Sequence, residues 1–291
     1  MASLKEVKTR ISSVMSTQQI TKAMKMVAAA KLRKSQDRIL QMRPFSQKMT
    51  SVMQNISSGL VDGDNWYNKA RTEERILIVA ITSDRGLCGS FNTNIFKSVL
   101  RLVQEKYSAQ LANKNVTILP IGKKALDFFG KRSFLMVGSY AEMLHSLSFE
   151  KASEAGDFII DAYRRGQYDK VEIVYNQFKN VATQILVTEQ FLPVLPVKTE
   201  KKQDIDFIFQ PNQAEILAGL IPKALKVQLY KAVLDSNASE NGARVTAMDK
   251  ASENAGELLK DLKLMYNRTR QAAITKEILE IVAGAEALKS V

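Results

Sequence analysis

The chain has 291 residues, more than one small domain needs, and its composition is that of a folded protein: 45% apolar and 25% charged. Those values exclude wholesale disorder and a collagen-like repeat. One cysteine allows no internal disulfide, and one histidine leaves no Cys/His metal set. Forty-two Lys and Arg against thirty Asp and Glu leave a formal charge of +12. Most of the excess lies at the start. Residues 1–48 hold eleven basic residues, with Glu6 and Asp37 the only acids. A surface of that kind suits an anionic partner, whether nucleic acid, lipid headgroups or an acidic protein face, or is a solvated helix face. Phe45 is the only aromatic among those residues, which disfavours a platform for stacked bases.

Residues 3–58 read as one helix. Leu4, Val7, Ile11 and Val14 fall in a 3-4-3 rhythm, and Ile20, Met24, Val27, Leu32, Ile39 and Met42 extend the stripe. Pro44 predicts a kink or a local break. A helix of about 55 residues spans roughly 80 Å, and one apolar stripe of that length needs a partner helix. Residues 59–74 read as a linker.

The texture then changes. Ile76–Ile81 is a buried strand ended by Thr82-Ser83-Asp84-Arg85-Gly86. A helix over 92–107, a strand over 116–121, a short helix over 125–129 and a strand over 134–137 follow. After them come a helix over 149–165, a strand over 171–175 and its partner over 182–191. Strands alternating with helices at this spacing predict a parallel α/β sheet. Pro193, Pro196 and Pro211 mark a loop around Lys201-Lys202.

Helical periodicity returns from Pro222, read as a first helical position, to Leu288. One seven-residue track runs Met248, Ala255, Leu262, Thr269, Lys276. A second runs Ala251, Leu258, Met265, Ala272, Leu279. Together they resemble the seam of a coiled coil. The predicted organisation is an N-terminal coiled-coil helix (1–58), a central Rossmann-like α/β domain (75–210) and a C-terminal coiled-coil helix (212–291). The two end helices pair antiparallel, because a compact domain joins them. The second is longer and outruns its partner.

Candidate chemistry is sparse. Ser83 to Asn92 lies between a strand and a helix, where a phosphate cradle sits in nucleotide-binding folds. It matches neither glycine-rich phosphate motif, and a tight turn of small residues explains it. Cys88 and His145 lie far apart in sequence. The chain alone is expected to catalyse nothing and to hold no cofactor or metal. The end is more unusual: Asn267-Arg268-Thr269-Arg270-Gln271 precedes the nearly charge-free Ile278–Ala285. An apolar tip without a partner helix needs other subunits around it. No window of 18 consecutive apolar residues exists, and the start has no apolar signal core, so a cytosolic, reducing setting is expected.

Three motifs in order carry a resemblance: Ile20-Thr-Lys-Ala-Met-Lys-Met-Val-Ala-Ala-Ala-Lys31, Asp84-Arg-Gly-Leu-Cys-Gly89, and Asn267-Arg-Thr-Arg-Gln-Ala-Ala-Ile-Thr-Lys276 with Glu280-Ile-Val-Ala-Gly-Ala285. They closely resemble the gamma subunit of F-type ATP synthases, along the whole chain. The resemblance implies a central rotor shaft, turned by a membrane c-ring inside three alpha and three beta subunits, with epsilon beside it. It implies that Met24, Lys25, Arg85, Arg244, Arg270, Gln271 and Thr275 contact that ring of subunits. It also implies that Ile278, Leu279, Ile281 and Val282 form a bearing tip. Chloroplast members carry two regulatory cysteines in an inserted loop; Cys88 alone allows no such switch. The resemblance implies a peripheral protein on the cytoplasmic face of a bacterial inner membrane. Rival readings are a basic coiled coil binding nucleic acid and a nucleotide-binding enzyme built on the α/β domain.

Overall fold

The computed structural model describes residues 3–57, 66–67, 71–132, 134–194 and 213–289. Most of the expected linker, 59–65 and 68–70, the last residue of the expected first helix and the loop around Lys201-Lys202 lie outside the described residues. The elements are α1 (Leu4–Ser57), β1 (Ile76–Ile81), α2 (Phe91–Lys106), α3 (Ser108–Ala112), β2 (Val116–Ile121) and α4 (Lys123–Phe129). They continue with β3 (Leu135–Met136), α5 (Phe149–Arg164), β4 (Lys170–Phe178), β5 (Gln184–Leu192) and α6 (Gln213–Lys289). The chain divides into two compact units, 28–244 and 1–27 with 245–291. α1 and α6 contribute to both.

In unit 28–244 the sheet runs β3-β2-β1-β4-β5. β1 pairs in parallel with β2 and β4, and β2 with β3. β5 pairs antiparallel with β4, so the sheet is mixed where a parallel one was expected. The reason is local: only a short hairpin separates the two strands, and a parallel return needs a crossover of a dozen or more residues. The strand predicted over 134–137 shrinks to Leu135–Met136, which pairs along Thr117 and Ile118 at the sheet edge.

β1 and β2 are buried at every position, as strands covered on both faces must be. Period-2 alternation divides their side chains between two cores. Leu77, Val79 and Ile81 face Ala155, Ile159 and Tyr163 of α5 and Leu225, Leu229 and Val233 of α6. Ile76, Ile78 and Ala80 face Phe91, Ile95, Val99 and Val103 of α2 and Phe129 of α4. The α2 residues recur every four positions, which keeps them on one helix face. Each such Ile, Leu or Val contributes about 1.5–3 kcal/mol by leaving water.

Neither proline marks a helix boundary. α1 runs unbroken through Pro44, and Pro222 lies nine residues inside α6 rather than at its first turn. Ile221 and Leu225 on either side of Pro222 are buried in the core. Their burial offsets the cost of the missing N–H. At the α5–α6 crossing Gly156 allows a close approach: a Cβ there would lie 3.1 Å from Lys226 Cγ. Lys226 also pairs with Asp157 at 2.7 Å.

Candidate functional site: a helix pair and a clamped turn

In unit 1–27/245–291, α1 and α6 run antiparallel. Gln18 Nε2 donates to the Ser252 carbonyl at 3.2 Å. The Thr21 and Ser252 hydroxyls share a buried bond at 2.8 Å. The Lys25 ammonium pairs with the Asp249 carboxylate. Contacts therefore climb α1 while they descend α6. Gly256 makes room for this polar stretch, since a Cβ would sit 3.0 Å from Gln18 Nε2. Polar residues inside a coiled-coil seam cost stability and fix register, and this seam is polar for about two turns.

Polarity is also why the sequence misplaces part of the seam. Val7, Leu32 and Ile39 of α1 are buried as expected, but Ile20 and Val27 are exposed, and Thr21 and Ala28 take the inward positions one residue later. On α6, Met248, Ala255 and Leu262 are buried as expected. The second track runs through Ser252 and Leu259, one residue later than the predicted Ala251 and Leu258. A search for apolar residues passes over Thr21 and Ser252, then chooses the wrong leucine of Leu258-Leu259. The signal that finds them is the unbroken 4-3 spacing of Met248, Ser252, Ala255, Leu259 and Leu262.

The contacting residue numbers add to about 272, which puts Leu4 opposite about residue 268. The last twenty or so residues of α6, about 30 Å at 1.5 Å per residue, have no opposite number on α1. Arg270 and Gln271 are exposed there, and the Thr275 hydroxyl donates to the Gln271 carbonyl at 2.9 Å, a bond within the helix. Ile278, Leu279, Ile281 and Val282 are all at least half exposed. Four large apolar side chains in five positions cover several sides of a helix, an arrangement that suits enclosure. Met24 is half-buried.

In unit 28–244, Arg85 and Arg244 meet, but through a backbone. The Arg244 guanidinium donates to the carbonyls of Arg85 at 3.1 Å and Gly86 at 3.2 Å, and to Glu240 Oε1 at 2.6 Å. The Arg85 side chain stays exposed. Glu240 is only 9% exposed, and burial raises its carboxyl against the lowering pull of Arg244. The turn beneath is knitted tightly. Asn92 Oδ1 accepts from the Ser83 N–H at 3.0 Å, Asp84 Oδ1 from the Lys123 N–H at 3.1 Å, and Thr82 Oγ1 from the Ala125 N–H at 2.9 Å. Gly122, at φ 106°, is obligatory: a Cβ would lie 2.5 Å from the Thr82 carbonyl oxygen.

In open α/β sheets ligands bind outside the carboxyl ends of strands where the strand order reverses. Here that place lies beyond β1 and β4, and α6 crosses it. Ser236 Oγ donates to the Ile81 carbonyl at 3.4 Å and Ser239 Oγ to the Asn176 carbonyl at 2.9 Å. Sequence reasoning missed Glu240, Ser236 and Ser239, although polar residues three and four apart on one helix face were the available signal. Cys88 is buried, and burial pushes its thiol up, away from the thiolate a nucleophile needs. His145 is exposed on a 3-10 turn (Met143–Ser146). Among the described residues no cluster of His, Cys, Asp or Glu could hold a metal, and no helix is long and apolar enough to cross a membrane.

Comparison with known proteins gives one consistent result. The ATP synthase family model matches residues 3–288. The chain is 55% identical to the ATP synthase gamma chain of Cytophaga hutchinsonii over the full length of both, and 51% identical to that of Flavobacterium psychrophilum over 99% of this chain and all of that one. Among solved structures it is similar to the central stalk of the Tetrahymena thermophila mitochondrial ATP synthase. That match has 26% identity and a TM-score of 0.56, covering 80% of this chain and 99% of that one. The Euglena gracilis mitochondrial ATP synthase rotor shares the fold, with 23% identity and a TM-score of 0.63 over 93% of this chain and 98% of that one. The chain belongs to the ATP synthase gamma chain family.

Proposed function

We propose that the chain is the central rotor shaft of an F-type ATP synthase, linking ion flow through a membrane c-ring to ATP synthesis and hydrolysis on alpha and beta subunits. The observation that carries this reading is the end of α6, which outruns α1 and leaves Ile278, Leu279, Ile281 and Val282 uncovered. A bearing formed by three alpha and three beta subunits would enclose it. An asymmetric helix pair presents a different face to each beta subunit as it turns, and so biases each catalytic site toward a different nucleotide affinity.

In this reading the chain is not itself catalytic, epsilon and the c-ring are its other partners, and it sits peripherally on the cytoplasmic face of a bacterial inner membrane. Met24, Lys25, Arg270, Gln271 and Thr275 contact the surrounding subunits. Exposed polar contacts of about 0–1 kcal/mol each suit a surface that must let go at every step. Arg244 would act from within the chain, through the turn that presents Arg85. The domain scheme 1–58, 75–210 and 212–291 describes the same division of labour between shaft and globule.

The nucleic-acid alternative has no support from the relatives in Cytophaga hutchinsonii and Flavobacterium psychrophilum, both of which carry the gamma-chain name. Affinity purification of the tagged chain tests the proposal. Alpha and beta should co-purify, each in threefold excess. Recovery of the chain with nucleic acid and without them refutes it.

A further inference from the structure

One buried acid takes no part in the machinery described so far. Asp235 of α6 is 2% exposed, and its Oδ1 has no hydrogen-bond partner among the described residues. The charged and titratable groups facing it come from four elements: Lys231 on α6, Arg43 on α1, Glu189 on β5 and Tyr175 on β4. Glu189 is already engaged, accepting from Gln228 Nε2 at 2.9 Å and from the Tyr175 hydroxyl at 3.2 Å. Asp235 is thus a carboxyl enclosed beside a second carboxylate, with two cations in range and neither bonded to it. Such a site holds a neutral acid comfortably and an anion only after rearrangement. Arg43 lies at the exposed surface of α1.

We propose that Asp235 is a proton-operated latch within unit 28–244. Neutral, it packs in the α1–α6 seam; ionised, it draws Arg43 inward and loosens the α1 segment that carries it. Burial raises the carboxyl to about 6, with Lys231 and Arg43 opposing the rise and Glu189 adding to it. The raised value favours the closed seam on the acid side, and that preference fades as pH rises through it.

Hydrogen exchange by mass spectrometry on the full-length chain, at about pH 5 and about pH 7.5 with rates corrected for intrinsic pH dependence, tests the latch. Peptides covering 36–46 should lose roughly tenfold protection at the higher pH. Asp235→Asn should hold the acid-side protection at both pH values, and Arg43→Gln should lessen the loss, because the ionised carboxylate then has no guanidinium to draw inward. Three results overturn the proposal: pH-independent protection in the unmodified chain, an undiminished loss in Asp235→Asn, or an Asp235→Asn chain that does not fold. The last would show that a neutral side chain is not what the seam accommodates.

Discussion

Replacing Arg244 with methionine keeps most of the side-chain volume and removes the charge. Its partner Glu240 is 9% exposed and lies 2.6 Å away, so the substitution leaves a buried carboxylate without its cation. Breaking a buried pair in this way costs about 3–5 kcal/mol. The carbonyls of Arg85 and Gly86 belong to exposed residues and can rehydrate, so their lost bonds add little. A second substitution, Glu240→Gln, removes the stranded charge and should recover most of the loss, leaving a deficit of about 1 kcal/mol. Urea titration followed by tryptophan fluorescence reads this directly. Trp66 is the only tryptophan and stacks on Tyr67 with ring centroids 3.7 Å apart in the same unit. The single variant should also lose stability as pH rises from acid to neutral. Its Glu240 carboxyl, already raised by burial, would be raised further in the fold, and protonation relieves the strain only on the acid side. A single variant within 1 kcal/mol of the parent, or a double variant as unstable as the single, refutes the reasoning.

Gly122→Ala should destabilise unit 28–244 by more than about 3 kcal/mol, because it combines a positive φ with a clash against the Thr82 carbonyl; thermal unfolding reads it. Tyr107→Phe removes a 2.6 Å bond to the buried carboxylate of Glu172 and should cost about 1.5–3 kcal/mol by urea titration. Cys88 should resist iodoacetamide in the folded chain and react once urea unfolds it; rapid labelling under native conditions would contradict its raised, buried thiol. Ile281→Asp should leave the isolated chain within about 0.5 kcal/mol of its parent, since the residue is exposed, yet weaken co-purification with alpha and beta. Met24→Lys places a new cation beside Lys22 and Lys25; in the assembled complex the ratio of ion pumping to ATP hydrolysis should fall, and an unchanged ratio would displace Met24 from the coupling contact.

The strands were legible because continuous apolar runs such as Ile76–Ile81 admit few other arrangements. The helices were legible because their periodicity extends over many turns. The orientation of β5 was legible only in the shortness of the link from β4, which leaves no room for the crossover a parallel return needs. Two kinds of residue escaped the pattern. Thr21 and Ser252 face inward although polar, because they satisfy each other across the pair. Ile20 and Val27 face outward although apolar, because a helix offers only one stripe to a single partner. In the turn, the small residues of 83–90 revealed a tight connection. That a distant arginine would fasten it depends on a contact 159 positions apart in sequence, which no local pattern encodes.

The crevice beyond β1 and β4 has a consequence of its own. Scaffolds of this topology commonly leave that notch for a guest molecule; here the polypeptide occupies it with its own hydroxyls, Ser236 and Ser239. The grip depends on no metabolite concentration and cannot be competed away. The sheet edge where a small molecule would be caught and released in other proteins serves here as a socket for a helix.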